Sequence, residues 1–216
     1  MNIEQARFNM IEQQIRPWNV LNQEVLDMLV VVKRENFFPE NQLGLVFSDT
    51  ELPLSASAHS LSPKLEGRIL QELAINKHEQ VLLVGAGSGY LAALLGHRAA
   101  KVTVMEVDAE LKALAEKNLS RNGVLNVSVV QGDGLKANPS AAYDVAVVHG
   151  SLPSVPDGLL QQLKVGGRLF VIVGQLPVMS AEIVTRTGQA SYKTQTLFET
   201  VVQPLSQAVQ PSKFTF

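Results

Sequence analysis

Val81-Leu82-Leu83-Val84-Gly85-Ala86-Gly87-Ser88-Gly89-Tyr90 is the stretch that decides how this chain folds. Its first four residues are a short, continuous apolar run, the pattern of a parallel strand covered on both faces. Three glycines at alternate positions come next, and Leu91 to His97 then has helical spacing. Glycine lets the backbone turn sharply and lets a ligand lie against it. A glycine turn gains meaning from its context, and here a strand precedes it and a helix follows.

Outward from this stretch the same alternation repeats. Val102 to Met105, Val127 to Val130, Val145 to Val148 and Leu169 to Val173 read as strands. Leu111 to Asn122 reads as a helix stopped by Gly123, and Leu159 to Leu163 as a short helix. Strands alternating with helices imply right-handed crossovers and a parallel sheet. Ala181 to Thr187 and Thr194 to Val202, around Gly188, read as an antiparallel edge hairpin. Upstream the texture is helical. Ile3, Phe8, Ile11 and Ile15 space as an amphipathic helix over 3–14 that Pro17 ends. Asn22 reads as the N-cap of a helix carrying Val25, Leu26, Leu29 and Val30, closed by Pro39. Leu43 to Ser62 reads as a loop, and Pro63 as the first residue of a helix with Leu65, Ile69, Leu70 and Leu73. The fold class is α/β: a doubly wound, mostly parallel, seven-stranded sheet with an N-terminal helical segment and a C-terminal antiparallel hairpin. One domain is expected over 1–216, with the helical segment and a loop in 1–75 and the sheet core in 76–216.

The bulk numbers agree with one soluble domain. The chain has 216 residues, 46% of them hydrophobic, enough for a full core. A formal net charge of -2 argues against nucleic acid as a partner. No cysteine is present, which excludes disulfides, thiolate metal sites and a cysteine nucleophile. The four histidines have no metal-ligand spacing, so no metal is expected. No apolar run approaches the ~20 residues of a membrane span. The N-terminus lacks the basic patch and apolar core of a secretory signal, so the expected setting is the cytoplasm, away from membranes.

Three turns lie at the carboxyl edge of the predicted sheet: Gly85 to Gly89, Glu106 with Val107, and Gly132-Asp133-Gly134. Ligands bind there in open α/β sheets, and a carboxylate about 20 residues past the glycine turn reaches ribose hydroxyls. The candidate cofactor-binding residues are Gly85, Ala86, Gly87, Gly89, Glu106, Val107, Gly132, Asp133, Gly134 and His149. Singly, Glu106 and Asp133 read as ordinary strand-end and turn acids; their joint placement carries the argument. Position 90 is Tyr, so the run is G-x-G-x-G, not the G-x-G-x-x-G of dinucleotide binders. No Tyr-x-x-x-Lys pair is present. Both points favour S-adenosylmethionine, leaving S-adenosylhomocysteine as product, over a nicotinamide cofactor and hydride transfer.

At this level of detail the chain resembles the protein-L-isoaspartate O-methyltransferases over nearly its full length. The likeness rests on residues 81–90 and on Gly132-Asp133-Gly134. It also rests on Tyr143-Asp144, Pro153, Pro156, Leu160 and the run Leu163 to Leu169. Val25-Leu26, Arg34, Phe37 to Pro39, Asp49 and Val202 to Leu205 also fit. The resemblance implies a Rossmann-like methyltransferase sheet. It further implies methyl transfer to a carboxylate of isoaspartyl residues in damaged protein or peptide. Trp18 and the apolar N-terminal helix leave room for a dimer, so a monomer or homodimer is expected. Two departures stand out. The family carries Glu or Asp where this chain has Leu83. Its loop before Pro63 reads Gly-x-Gln-x-Thr-Ile-Ser-x-Pro, whereas here residues 55–63 read Ser-Ala-Ser-Ala-His-Ser-Leu-Ser-Pro. Aligned without a gap, His59 falls at the family's Thr and Leu61 at its Ser. With a one-residue gap, Ser60 and Ser62 supply the two hydroxyls. The candidate catalytic residues are therefore His59, Ser60 and Ser62.

An isoaspartyl carboxylate, with an ordinary acid strength of pKa ~4, is ionised at neutral pH and needs no base. An amine or phenol acceptor would need one, and His59 and His149 are the candidates; the alternative is a loop residue and a strand-end cap or cofactor contact. Two other readings stay open: a methyltransferase acting on a different acceptor, and a cofactor-binding protein of low activity. His78 and His97 read as surface positions flanking strands, Trp18 and Phe8 as packing or interface residues, and Arg16 and Arg34 as solvated, the alternative being that one of them salt-bridges across the N-terminal segment.

Overall fold

The structure is a computed structural model and describes residues 2–208; positions 1 and 209–216 of the expected domain lie outside them. Strand β1 (Gln80–Val84) lies inside the sheet and pairs in parallel with β2 (Lys101–Glu106) on one side and β4 (Tyr143–Leu152) on the other. Val81, Leu82, Leu83 and Val84 have no solvent exposure. Their side chains alternate between the two layers. Val81 and Leu83 join the cluster built with the N-terminal helices, while Leu82 and Val84 pack with Leu135, Leu159 and Leu169 on the opposite face. A strand with no wet face is what a continuous apolar run encodes.

From β1 the chain winds outward through α4 (Tyr90–Arg98), β2, α5 (Ala109–Arg121) and β3 (Val127–Gln131), then crosses back to β4. The seven strands run in the order β3-β2-β1-β4-β5-β6-β7. β5 (Leu163–Gln175), β6 (Val178–Arg186) and β7 (Tyr192–Thr200) close the far edge with two antiparallel pairings. The strand order reverses at β1, so the crevice between the carboxyl ends of β1 and β4 is the switch point.

Three local readings change. The expected helix over 3–14 is α1 (Ile3–Met10), which widens into a π-turn over Ile11–Ile15 and tightens into a 3₁₀ turn over Arg16–Trp18. Pro17 cannot donate to the helical ladder and its ring crowds the preceding turn, so the pitch shifts before the chain leaves at Asn19 in the left-handed region (φ 64°). The helix expected at Leu159 to Leu163 is α6 (Asp157–Leu160). Leu163 already pairs with Tyr143, and the Gly166-Gly167 turn (φ 86° at Gly166) lets β5 bulge and continue. β4 runs past Val148 to Leu152, with a register shift between Val147 and Ser151. By contrast, Asn22 caps α2 (Gln23–Val31) through its side chain, and Pro63 opens α3 (Pro63–Leu73).

Arg34 is not solvated. It has no exposure, pairs with Glu66 on α3, and donates to the carbonyls of Val46 (3.0 Å) and Leu61 (2.9 Å). Its guanidinium also sits over the rings of Phe38 (4.9 Å) and Tyr90 (5.1 Å). One side chain thus ties the N-terminal segment, the 43–62 loop and the start of α4 together. Arg16 does face water, paired with Glu12 at 2.8 Å. Phe8 (58% exposed) is no core residue, and Trp18 packs against Lys64, whose ammonium lies 3.8 Å from the ring centroid. No helix among the described residues is long and apolar enough to cross a membrane.

Breaking a buried ion pair from one side leaves a bare buried charge. Arg34→Met alone is expected to destabilise the chain by about 3–5 kcal/mol, and Arg34→Met/Glu66→Leu by clearly less than the sum of the single variants. Urea unfolding of the three variants measures this; additivity would show that the pair is not coupled.

Candidate active site

Where β1 ends, Gly85 donates its N–H to the Met105 carbonyl (2.9 Å) at a φ of 93°, and Gly87 follows at 54°. Both values lie in the left-handed region that side chains disfavour. The space beside Gly87 is also taken: a Cβ there would meet His149 Nε2 at 2.5 Å. The imidazole of His149 therefore lies directly on the glycine turn. It is aimed there by an irregularity in β4, where Gly150 takes φ 156° inside the register shift. His149 is thus within β4, at its bulge, not at its end.

At the end of β2, Glu106 is buried, 4% exposed. Its Oε2 accepts from the Ala86 N–H (2.7 Å) and its Oε1 from the Asp108 N–H (2.9 Å). Two backbone donors from two different turns fix the carboxylate in place. Each oxygen keeps a second lone pair, so the group can still accept from two ligand hydroxyls.

These residues open onto one cleft. Its walls are Gly85, Gly87, Glu106 and Leu111 from the cofactor side, His149 and Gly150 from β4, and Glu51 and 57–61 from the loop. A further wall is the C-terminal strap Gln203 to Ser206, held by Ser151 N–H to Gln203 O and Leu205 N–H to Ser151 O, both 3.0 Å. Of the candidate residues, Gly85, Gly87, Glu106, His149, His59 and Ser60 line this cleft. The others serve its frame. Gly89 is small because Ala115 of α5 approaches within 3.2 Å of where its Cβ would stand. Gly132 and Gly134 are crowded by Met105 and Val84 at the strand ends. Ala86 contributes its N–H to Glu106, and Val107 is half-buried in the turn between Glu106 and Asp108. Asp133 is turned to its own loop, accepting from the Leu135 N–H at 3.1 Å. Ser62 is the N-cap of α3, where its carbonyl accepts from Leu65 and Glu66 N–H. Leu83 lies in the core, without exposure.

The loop is more ordered than its composition indicates. Ser60 N–H donates to Leu52 O and Leu54 N–H to Ala58 O, both 2.8 Å, and Pro53 bridges His59 antiparallel. Ser60 Oγ is buried and accepts from the Leu52 N–H at 3.0 Å. Glu51, Ser57, Ala58, Leu61, Leu111, Gly150 and the strap also line the cleft and were not singled out as site residues from the sequence. Glu51 carries no signal in a single sequence, since a lone acid in a loop is ordinarily solvated.

The electrostatics are uneven. Burial pushes the His149 imidazole down to about 4, with the Arg34 charge acting in the same direction, so the ring is neutral at physiological pH. Burial pushes the Glu51 carboxyl up. No lysine or arginine lines the cleft among the described residues.

A doubly wound sheet with a glycine turn and an anchored acid at its switch point defines a nucleoside-binding α/β protein of the Rossmann-like type. Comparison with known proteins gives the particular family. Residues 5–210 match the family described as protein-L-isoaspartate(D-aspartate) O-methyltransferase. The protein-L-isoaspartate O-methyltransferase of Rhodopseudomonas palustris is 37% identical over 199 residues, covering 91% of each chain. That of Methanoculleus marisnigri is 37% identical, covering 85% of this chain and 84% of its own. Among solved structures, a Plasmodium falciparum chain described under the same activity, in complex with S-adenosyl-L-homocysteine, superposes with a TM-score of 0.79 at 17% identity. The superposition covers 96% of this chain and 99% of that one, which bears on the fold alone. The chain belongs to the protein-L-isoaspartate(D-aspartate) O-methyltransferase family.

His149 supplies a pH signature. The folded chain holds the imidazole proton less tightly than the unfolded chain, whose pKa is near 6.5. Its contribution to stability is therefore complete above about pH 6.5 and is lost as pH falls toward 4. With about 1.4 kcal/mol for each tenfold change in proton affinity, roughly 3 kcal/mol is at stake. Denaturant midpoints between pH 4 and 7 are expected to flatten in His149→Asn relative to wild type; parallel curves would remove His149 as the cause.

Proposed function

We propose that this chain transfers the methyl group of S-adenosylmethionine to a carboxylate of isoaspartyl residues in protein or peptide, releasing S-adenosylhomocysteine. Family membership over nearly the whole chain supports the reaction. The single structural observation that carries the cofactor assignment is Glu106, a buried carboxylate fixed by two backbone donors and still open to the cleft. It would hold the ribose hydroxyls, with Gly85, Ala86, Gly87 and Gly89 forming the turn beside it. Val107, Gly132, Asp133 and Gly134 complete the surround of the adenosine end.

The residues present fit this cofactor chemically. S-adenosylmethionine supplies an electrophilic methyl group on a positively charged sulfur. A cleft with Glu106 and Glu51, a neutral His149 and no lysine or arginine among the described residues suits a cation. His149 would contact the cofactor by packing on the glycine turn. A carboxylate acceptor arrives ionised, so the chain's task is to hold the reactants in line and exclude water. His59, Ser60 and Ser62 belong to the segment that would meet the acceptor. Ser60 keeps its hydroxyl proton to donate, because its oxygen is the acceptor toward Leu52. The net charge of -2 accords with a protein partner in place of nucleic acid. A cytoplasmic monomer or homodimer completes the reading.

Two measurements test it. Labelled S-adenosylmethionine is expected to place base-labile label on an isoaspartyl peptide and not on its aspartyl counterpart; equal labelling, or none, would refute the acceptor assignment. Glu106→Ala is expected to weaken cofactor binding by about 1.5–3 kcal/mol, the range for hydrogen bonds to a charged group. Calorimetry checks this, and an unchanged dissociation constant would remove Glu106 from the ribose site.

A further inference from the structure

The hairpin that walls the cleft also walls a second pocket, of about 230 Å³. Glu51 and residues 57–61 line the cleft, while Pro53 and Leu54 line the pocket. Helix α5 is shared in the same way. Leu111, in its first turn, lines the cleft, and Leu114, Asn118 and Arg121 line the pocket. Spacings of three and four make these positions one stripe along the helix. Two turns of helix separate Leu111 from Asn118, about 10 Å. An extended peptide covers that span in about three residues. The pocket is smaller than an ordinary small-molecule site and of a size for one side chain.

The lining of this pocket combines three properties. Its walls are apolar, from Phe38, Pro39, Pro53, Leu54 and Leu114. Its charges are Lys117 and Arg121, with no carboxylate among the lining residues, the reverse of the cleft. Arg121 is fixed by donating to the Asn36 carbonyl. The third property is a surplus of acceptors. Asn118 is 5% exposed, and both of its amide hydrogens are spent, on Phe37 O (3.1 Å) and Ser88 O (2.9 Å). Its Oδ1 accepts from no donor among the described residues. Gln42 repeats the pattern: Nε2 donates to Pro53 O (2.8 Å), and Oε1 is buried without a partner. Buried polar groups are nearly always paired, so what this pocket lacks is a hydrogen-bond donor.

We propose that this pocket is a specificity subsite for the polypeptide acceptor, taking a tyrosine side chain about three residues from the isoaspartyl residue held in the cleft. The inference rests on the peptide acceptor of the proposed function and adds which neighbouring side chain the chain reads. Each property of the lining removes a class of occupant. Apolar walls favour a ring over a short polar side chain. Lys117 and Arg121 repel a lysine and gain from the electron-rich face of an aromatic ring. A glutamate would suit the two cations, but it brings further acceptor oxygens to Asn118 Oδ1 and no donor. Phenylalanine fills the walls and leaves the surplus acceptors unpaired. The tyrosine O–H supplies the missing donor at the tip of an apolar ring.

The test uses the full chain with S-adenosylhomocysteine and short isoaspartyl peptides of alanine and glycine. The third residue before or after isoaspartate is tyrosine, phenylalanine, glutamate or alanine. Calorimetry is expected to show tyrosine binding about tenfold tighter than alanine on one side of isoaspartate, with phenylalanine between them. With S-adenosylmethionine the same ratio is expected in KM and none in kcat, the mark of a contact made away from the reacting atoms. Leu114→Trp, which fills the pocket, is expected to erase the preference and to leave the alanine peptide's affinity unchanged. Lys117→Glu changes an exposed residue and is expected to reduce the tyrosine advantage about threefold. Equal affinities for all the peptides, binding of none, or a preference for glutamate overturns the inference. So does an undiminished tyrosine advantage in Lys117→Glu, or in a Leu114→Trp whose thermal midpoint shows it folded. A tyrosine preference in binding without ester formation refutes the acceptor chemistry of the proposed function and leaves the subsite standing. Ester formation at equal KM for all the peptides does the reverse.

Discussion

Everything in this molecule is arranged around a strand that has no solvent face. β1 is covered on both sides, so its neighbours must supply two apolar layers, and the chain does so by winding first one way and then the other. The reversal leaves an unfilled crevice at the carboxyl ends of β1 and β4, because the loops leaving these strands diverge. The cleft is a geometric consequence of how the core is covered. Its chemistry then depends on which side chains the turns place there.

Two devices hold those turns. Glu106 joins the β1 turn to the start of α5 through two backbone donors, so a charged group that would be costly to bury alone is nearly satisfied before any ligand arrives. Arg34 does comparable work on the opposite wall. Its contacts with Glu66, Val46 and Leu61 fix the loop that carries Glu51 and His59. A guanidinium suits this position because its planar fork can serve several acceptors at once while its face rests on Phe38 and Tyr90. The loop is thereby part of the scaffold and not a lid resting on it.

The sheet was legible in the sequence because parallel strands covered on both faces write themselves as uninterrupted apolar runs, and 81–84 is such a run. The three turns were legible because glycine and acid recur at the same point of each unit. What stayed hidden depended on distance. Nothing near Arg34 in the chain announces that Glu66, 32 residues on, will meet it. Likewise, the close approach of Ala115 to Gly89, and of Met105 and Val84 to Gly132 and Gly134, involves residues too far along the chain to be read from the turns themselves. The helix expected at Leu159 to Leu163 fails for a similar reason. Its last leucine is claimed by pairing with Tyr143, a tertiary contact that overrides local spacing. The hairpin at 51–61 was unreadable because serine and alanine carry little strand signal, and its pairing is fixed in part by Ser60 Oγ.

The altered loop sequence gains a physical meaning from this arrangement. Its imidazole has one sealed nitrogen, and an acid stands on the same cleft wall. Both features carry a cost, since a buried unpartnered nitrogen and a partly buried carboxyl each oppose folding. Such costs persist where they serve chemistry. The lining has the opposite polarity from what anion capture alone requires, because the cofactor's positive sulfur shares the cleft with the acceptor. Glu106 already faces the nucleoside end, so Glu51 is the carboxylate left to balance that sulfur.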